Sequence, residues 1–229
     1  AAILQMFRRM NAYTLPLNDA EKRHSEFQGE FKWIINEFAD ELSDFFVEFG
    51  VFTDRQIVRM ADAAVLADIV LAMERGIVST SPTMLRQLYE KYDKRYDEAN
   101  FHREAIFSAV SFITENLSEL RKSFLMKPYA FHSLMVALIH SKYGIGKIET
   151  EYDSMSQGAF SMDPNAAQRN LLELSIAHEL KEQGGPHGLY VWGASSTTDR
   201  KQRREARVFS ILNALLAPVP ASLLDVENY

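Results

Sequence analysis

The chain has 229 residues, 47% of them hydrophobic, with a formal net charge of −6 and no cysteine. That length and apolar content support one large domain or two small ones around a buried core. The lack of cysteine removes disulfides, thiol nucleophiles and cysteine-based zinc sites together, and fits a cytoplasmic location. No apolar run approaches the roughly 20 residues of a membrane span, and the opening residues lack the charged-then-apolar layout of a signal peptide. The acidic balance argues against indiscriminate nucleic-acid binding but permits a local basic stripe.

Helical periodicity dominates from the start. Ile3, Met6, Phe7 and Met10 recur at helical spacing, predicting an opening amphipathic helix that Asn11 ends. Residue 1 is an alanine already inside that pattern, so the chain reads as a piece of a longer protein. Tyr13 to Leu17 read as a loop. Asn18 then offers an N-cap, and Glu21, three residues on, the return bond of a capping box. On local chemistry Glu21 is either this cap or a site residue. Phe31, Ile34, Ile35, Phe38, Leu42, Phe45, Phe46 and Phe49 form one apolar stripe, predicting a single long helix closed at Gly50. Thr53 and Asp54 open the next, with Ile57, Met60, Ala61, Ala64, Ile69 and Met73 inside it and Gly76 beyond. Ser81 and Pro82 form a cap followed by proline at the first helical position, leading into Leu85, Leu88, Tyr89 and Tyr92.

Further helices are predicted near 97–117, 129–141, 164–182 and 199–216, and Asp163 with Pro164 repeats the cap-then-proline signal. The polar, glycine-containing stretch from Gly144 to Met162 reads as a long loop. It divides a helical subdomain, 1–143, from a C-terminal helical segment, 164–229, that packs on the first, with the polar loop at 144–163. "LYVW", Leu189 to Trp192, is the one tempting strand and has no visible partner. No period of 20 to 50 residues repeats. The expected fold class is all-α, an irregular multi-helix bundle.

Chemical motifs are sparse. None of the six histidines, His24, His102, His132, His140, His178 and His187, pairs with another at metal-ligand spacing. There is no Walker-type phosphate loop, dinucleotide fingerprint, serine-nucleophile elbow or HNH nuclease pattern. Gly184, Gly185 and Gly188 surround Pro186 and read as a plain turn. The strongest charge cluster is "SSTTDRKQRREARV". Thr198 or Asp199 can cap a helix in which Arg200, Arg203, Arg204 and Arg207 share a face that continues into Val208, Ile211, Leu212 and Leu215. Cations in the first turns oppose the helix dipole, at a cost on the order of 0.3–1 kcal/mol each. Something anionic must compensate: internal carboxylates, for which the acidic stretch from Asp40 to Glu48 is a candidate, or a phosphate gripped by planar guanidinium forks.

The opening stretch resembles the F-x-R-x-N-x-x-x-x-x-L-N-x-x-E-x-R signature of the GmrSD-type proteins, a bacterial and archaeal restriction and phage-defence group. Here it reads Phe7, Arg9, Asn11, Leu17, Asn18, Glu21 and Arg23. "FTDRQIVRMADA" (Phe52 to Ala63) and "ASSTTDRKQRREARV" (Ala194 to Val208) also look like segments of that family. The resemblance implies an upstream ParB/sulfiredoxin-like α/β domain with a DGQQR motif that binds and hydrolyses a nucleotide. That motif is absent from these residues, so the chain is expected to be the helical part of a truncated α+β protein lacking its N-terminal ParB-like domain. Many relatives also carry a downstream HNH nuclease domain.

The expectations that follow from the resemblance concern a helical portion of a nucleotide-dependent DNA restriction protein. Arg9, Asn11, Glu21 and Arg23 are expected at a nucleotide site or at the seam with the missing domain, with Glu21 capping through one oxygen and accepting from Arg23 or Arg9 through the other. Arg200, Lys201, Arg203, Arg204 and Arg207 are expected on phosphate or nucleic acid. No catalytic residue, metal ligand or cofactor is assigned to this chain. A nucleoside triphosphate with Mg belongs to the full-length protein. The expected partners are the missing domain, DNA and a second copy of the chain, with no membrane. The alternative is a non-catalytic helical interaction or oligomerisation module.

Overall fold

In a computed structural model the described residues are 16–146, 148 and 155–216, and among them the protein is all-α, with eleven α-helices, two short 3-10 turns and no strand. The predicted opening helix, with Arg9 and Asn11, lies outside the described residues. Among the described residues no helix is long and apolar enough to cross a membrane.

The first helix, α1 (Asp19–Glu26), starts at the predicted capping box: Asn18 Oδ1 accepts from the Glu21 N–H at 2.9 Å, and Glu21 Oε2 accepts from the Asn18 N–H at 2.7 Å. The long apolar stripe is two helices rather than one, α2 (Glu30–Glu41) and α3 (Ser43–Phe49), separated at Leu42, where ψ opens to 2°. Phe31, Ile35, Phe38, Leu42, Phe46 and Phe49 are buried on both sides of the bend. Because the apolar spacing passes through it unbroken, periodicity cannot reveal the break. Gly50 closes α3 in the left-handed region, φ 74°, as a C-cap glycine should.

The predicted helix after Thr53 also divides, into α4 (Asp54–Val58) and α5 (Ala61–Arg75). Met60 between them has φ 59° and ψ 30°, a left-handed conformation that costs a non-glycine residue energy. The turn is held from outside: Asn18 Nδ2 donates to Arg59 O at 2.9 Å, and Arg59 Nη2 donates to Pro16 O at 3.0 Å. α6 (Pro82–Lys91) follows its Ser81 cap as predicted, and α7 (Ala99–Asn116) occupies the expected region.

The central element is α8 (Pro128–Tyr143), in which every residue from Ala130 to Ser141 is buried. A helix buried on all sides lies inside the molecule; α8 carries His132, Ser133, His140 and Ser141 among its apolar residues and packs against α5, α7 and the helix Lys201–Leu216. The stretch after it, read as a polar loop, is tied back to the body: Gln157 and Gly158 donate to Ser141 O at 2.7 and 3.0 Å, and Ile145, Ile148, Met155 and Phe160 are buried. One buried apolar cluster runs from Phe27 to Leu215 through both halves of the chain.

Three helices complete the body: α9 (Pro164–Leu180), α10 (Gly188–Ser195) and α11 (Lys201–Leu216). "LYVW" is therefore helical, with Tyr190 and Val191 buried and Leu189 and Trp192 outside. Gly193 allows α11 to press against α10; a Cβ there would sit 2.9 Å from Arg203 O and 3.1 Å from both Ala206 Cβ and Arg207 Cγ.

Candidate functional site

Four helices begin around one cavity of about 400 Å³. Asn18 and Asp19 open α1, Ala61 is the first residue of α5, Ser81 and Pro82 open α6, and Asp199 stands just ahead of α11. Helix N-termini carry partial positive charge from their unpaired N–H groups. Three arginines, Arg23, Arg59 and Arg204, line the cavity, together with three aspartates, Asp19, Asp68 and Asp199.

Each arginine is held differently. Arg59 Nε pairs with Glu21 Oε1 at 3.0 Å. Glu21 thus caps with one oxygen and binds an arginine with the other, as expected in form, but among the described residues the partner is Arg59 and not Arg23; Arg9 lies outside them. Arg204 Nη1 and Nη2 form a fork on Asp68 Oδ1 and Oδ2 at 3.0 and 2.5 Å. Arg23 is 6% exposed, its guanidinium lies 5.7 Å from the centre of the Tyr89 ring, and among the described residues it has no ion pair. The Nε atoms of Arg23 and Arg204 have no hydrogen-bond acceptor.

Asp68 organises the back of the cavity. It is buried, accepts from Thr80 Oγ1 at 2.6 Å, and lies 3.6 Å from His132 Nε2. Burial opposes its ionisation, but the charges and hydrogen bonds of its neighbours, chiefly His132, Arg204 and Thr80, outweigh that and hold its carboxyl below the usual range. His132 is pushed down to about 4 by burial, against the attraction of Asp68 and with the repulsion of Arg204 and Arg207. At neutral pH the arrangement is an ionised Asp68, a charged Arg204 and a neutral His132 whose Nε2 lies 3.4 Å from Arg204 Nη1.

The arginine row of α11 does not act as one face. Arg200 is exposed at the start of the helix. Lys201 is exposed too; its N–H donates to Ser79 Oγ at 2.8 Å and its ammonium lies 3.2 Å from Glu205 Oε1. Arg203 places its guanidinium over the Trp192 ring, 3.7 Å from the ring centre, and donates to Trp192 O. Arg207 is 1% exposed and donates to Ser133 Oγ, Gly193 O and Thr198 O at 2.9, 2.6 and 2.8 Å. Burial pushes it down to about 10, with Arg204 repelling it, so it remains charged at neutral pH. The expected acidic partners from Asp40 to Glu48 are elsewhere: Glu41 binds Arg103 and Glu48 binds Arg121. The compensating carboxylate is Asp68.

Sequence reading missed Arg59, Asp68 and Thr80. Asp68 had a signal, a lone carboxylate within the apolar run "VLADIVLAM", where a buried charge demands a partner. Among the described residues no group of three or more His, Cys, Asp or Glu is placed to hold a metal ion. No family model matches this sequence, and no curated protein or solved structure matches it significantly.

Proposed function

We propose that this chain is the helical body of a GmrSD-type, nucleotide-dependent DNA restriction and phage-defence protein. In this reading it supports a ParB-like DGQQR domain and holds a phosphate group in the cavity of Arg23, Arg59 and Arg204. One observation carries the proposal. The three segments that resemble the family are far apart in sequence, yet each contributes to this cavity: Arg23 from the first, Arg59 and Ala61 from the second, Asp199 and Arg204 from the third. Guanidiniums and helix N-termini around one space favour an anion. The nucleoside triphosphate and its Mg belong to the whole protein; the residues here fit the phosphate, and no catalytic step is assigned to them.

The test is a titration of the chain with a nucleoside triphosphate and with duplex DNA at two salt concentrations. Binding that weakens steeply with salt supports the proposal, because neutralised phosphates release counterions. No salt-sensitive binding to either ligand removes it.

A second reading, an interaction or oligomerisation module, rests on the exposed Leu189, Trp192, Phe209 and Leu216 on α10 and α11. Leu189 and Phe209 line a hollow of about 230 Å³ there. Light scattering decides it: a monomer at all concentrations argues against self-assembly.

A further inference from the structure

We infer that the arginine cavity selects a terminal phosphate, a phosphomonoester or inorganic phosphate, over the internal phosphodiesters of DNA. This rests on the reading of the cavity as a phosphate site and names the class of phosphate it accepts. Arg23 supplies the first observation. It is nine-tenths buried, lies against the Tyr89 ring, has an Nε without an acceptor, and among the described residues makes no ion pair, so a cation stands in the cavity wall without a direct counter-charge. A buried unpaired cation is costly, and an anion beside it relieves that cost.

The charge count sets how much anion is wanted. Glu21 pairs with Arg59, Asp68 with Arg204 and Lys22 with Asp19, which leaves the buried Arg23 on the inside, the exposed Asp199 on the solvent side, and the positive ends of α1, α5, α6 and α11. A phosphomonoester brings close to two negative charges and three terminal oxygens near neutral pH. A diester brings one charge, two free oxygens and a sugar on each side.

The rim makes the choice sharper. Asp19 and Asp199 line the same cavity and are exposed, so they sit on its solvent side. Asp19 is met by Lys22 at 3.2 Å, on the open surface. Among the described residues Asp199 has no ion pair or side-chain hydrogen bond, and its backbone oxygen accepts from the Thr80 N–H. A DNA strand crossing the mouth keeps its neighbouring phosphates close to these carboxylates, whereas a compact anion passes beyond them to the guanidiniums. Ser81 Oγ, which accepts from the Met84 N–H at 3.2 Å, still has its own proton to donate to such a ligand. The volume, about 400 Å³, lies within the range of small-ligand pockets.

The experiment measures binding of the chain to inorganic phosphate, a 5′-nucleoside monophosphate, and a short single-stranded oligonucleotide with and without a 5′-phosphate, by calorimetry and thermal shift. The expected result is at least tenfold tighter binding of the monophosphate and the 5′-phosphorylated strand than of the unphosphorylated strand, with a rise in Tm. Arg23→Gln should abolish that difference. Should that variant fail to fold, Asp199→Asn decides: on an exposed residue it should tighten binding of the unphosphorylated strand several-fold more than that of the monophosphate, narrowing the difference between them. Equal binding of phosphorylated and unphosphorylated strands, or no effect of Asp199→Asn on the strand, overturns the preference for a terminal phosphate while leaving a phosphate site. Binding of none of the four ligands overturns both.

Discussion

Asp68 in the middle of α5 and Arg204 near the start of α11, 136 positions apart, meet as a buried fork with both guanidinium nitrogens on both carboxylate oxygens. The pair answers the electrostatic difficulty of α11, which begins with Lys201, Arg203 and Arg204 against its own dipole. It also ties α11 to α5 at the back of the arginine-lined cavity.

Removing one partner should therefore cost far more than removing both. Asp68→Asn leaves Arg204 buried without its counter-charge, and we expect a loss of about 3–5 kcal/mol. The double variant Asp68→Leu with Arg204→Met should recover most of that loss, since a well-packed apolar pair avoids the desolvation of both ions. Urea midpoints at constant m-value measure it. A single variant as stable as the wild type refutes the pairing.

His132 makes stability depend on pH in a known direction. Its folded-state pKa is lowered to about 4, against about 6.5 in the unfolded chain. Between those values the unfolded state binds the extra proton, so stability is complete above about pH 6.5 and declines as pH falls toward 4. The difference amounts to about 3 kcal/mol. Asp68, whose pKa is also lowered, adds a further loss at more acid pH. Replacing His132 with Gln should flatten the slope of urea midpoint against pH between 6.5 and 4 and leave the more acid loss in place. An unchanged slope shows that other groups carry it.

Much of this fold was readable from apolar spacing and caps. Asn18, Ser81, Asp163 and Gly50 mark element ends where expected, because each acts through its own few neighbours. The breaks at Leu42 and Met60 were hidden because they interrupt the backbone without interrupting the apolar face. Leu189 to Trp192 stayed ambiguous because four apolar residues suit a strand and a buried helix equally. The cavity was legible only in parts. Arg23 and Arg204 stood out as charges, but their convergence depends on Asp68, Arg59 and Thr80, which local sequence cannot place side by side.

Arg207 and Gly193 should prove intolerant for complementary reasons. The arginine fills three fixed acceptors, Ser133 Oγ, Gly193 O and Thr198 O, in a planar fork that lysine cannot reproduce. Arg207→Lys should cost at least about 2 kcal/mol, because buried acceptors lose their donors. Gly193→Ala forces a Cβ to 2.9 Å from Arg203 O and should cost about 1–3 kcal/mol by overpacking. Thermal unfolding of the two variants checks both, and a Tm unchanged in Gly193→Ala would show that α10 and α11 can move apart freely.

Glu21 tests whether a cap is also part of a site. Asn18→Ala removes the bond to the Glu21 N–H and the bond to Arg59 O, so about 1–2 kcal/mol of stability should go. Glu21→Gln retains an oxygen for the Asn18 N–H but loses the charge that holds Arg59 Nε at 3.0 Å, and should cost under about 1 kcal/mol because the pair is partly solvated. The two substitutions separate in ligand binding. Freed from Glu21, Arg59 gains an uncompensated charge at the cavity, so Glu21→Gln should tighten phosphate binding several-fold even as it slightly weakens the fold. A calorimetric titration with inorganic phosphate, run beside urea unfolding on the same samples, reads both quantities. If Glu21→Gln lowers stability and leaves phosphate affinity unmoved, the residue is a cap and nothing more.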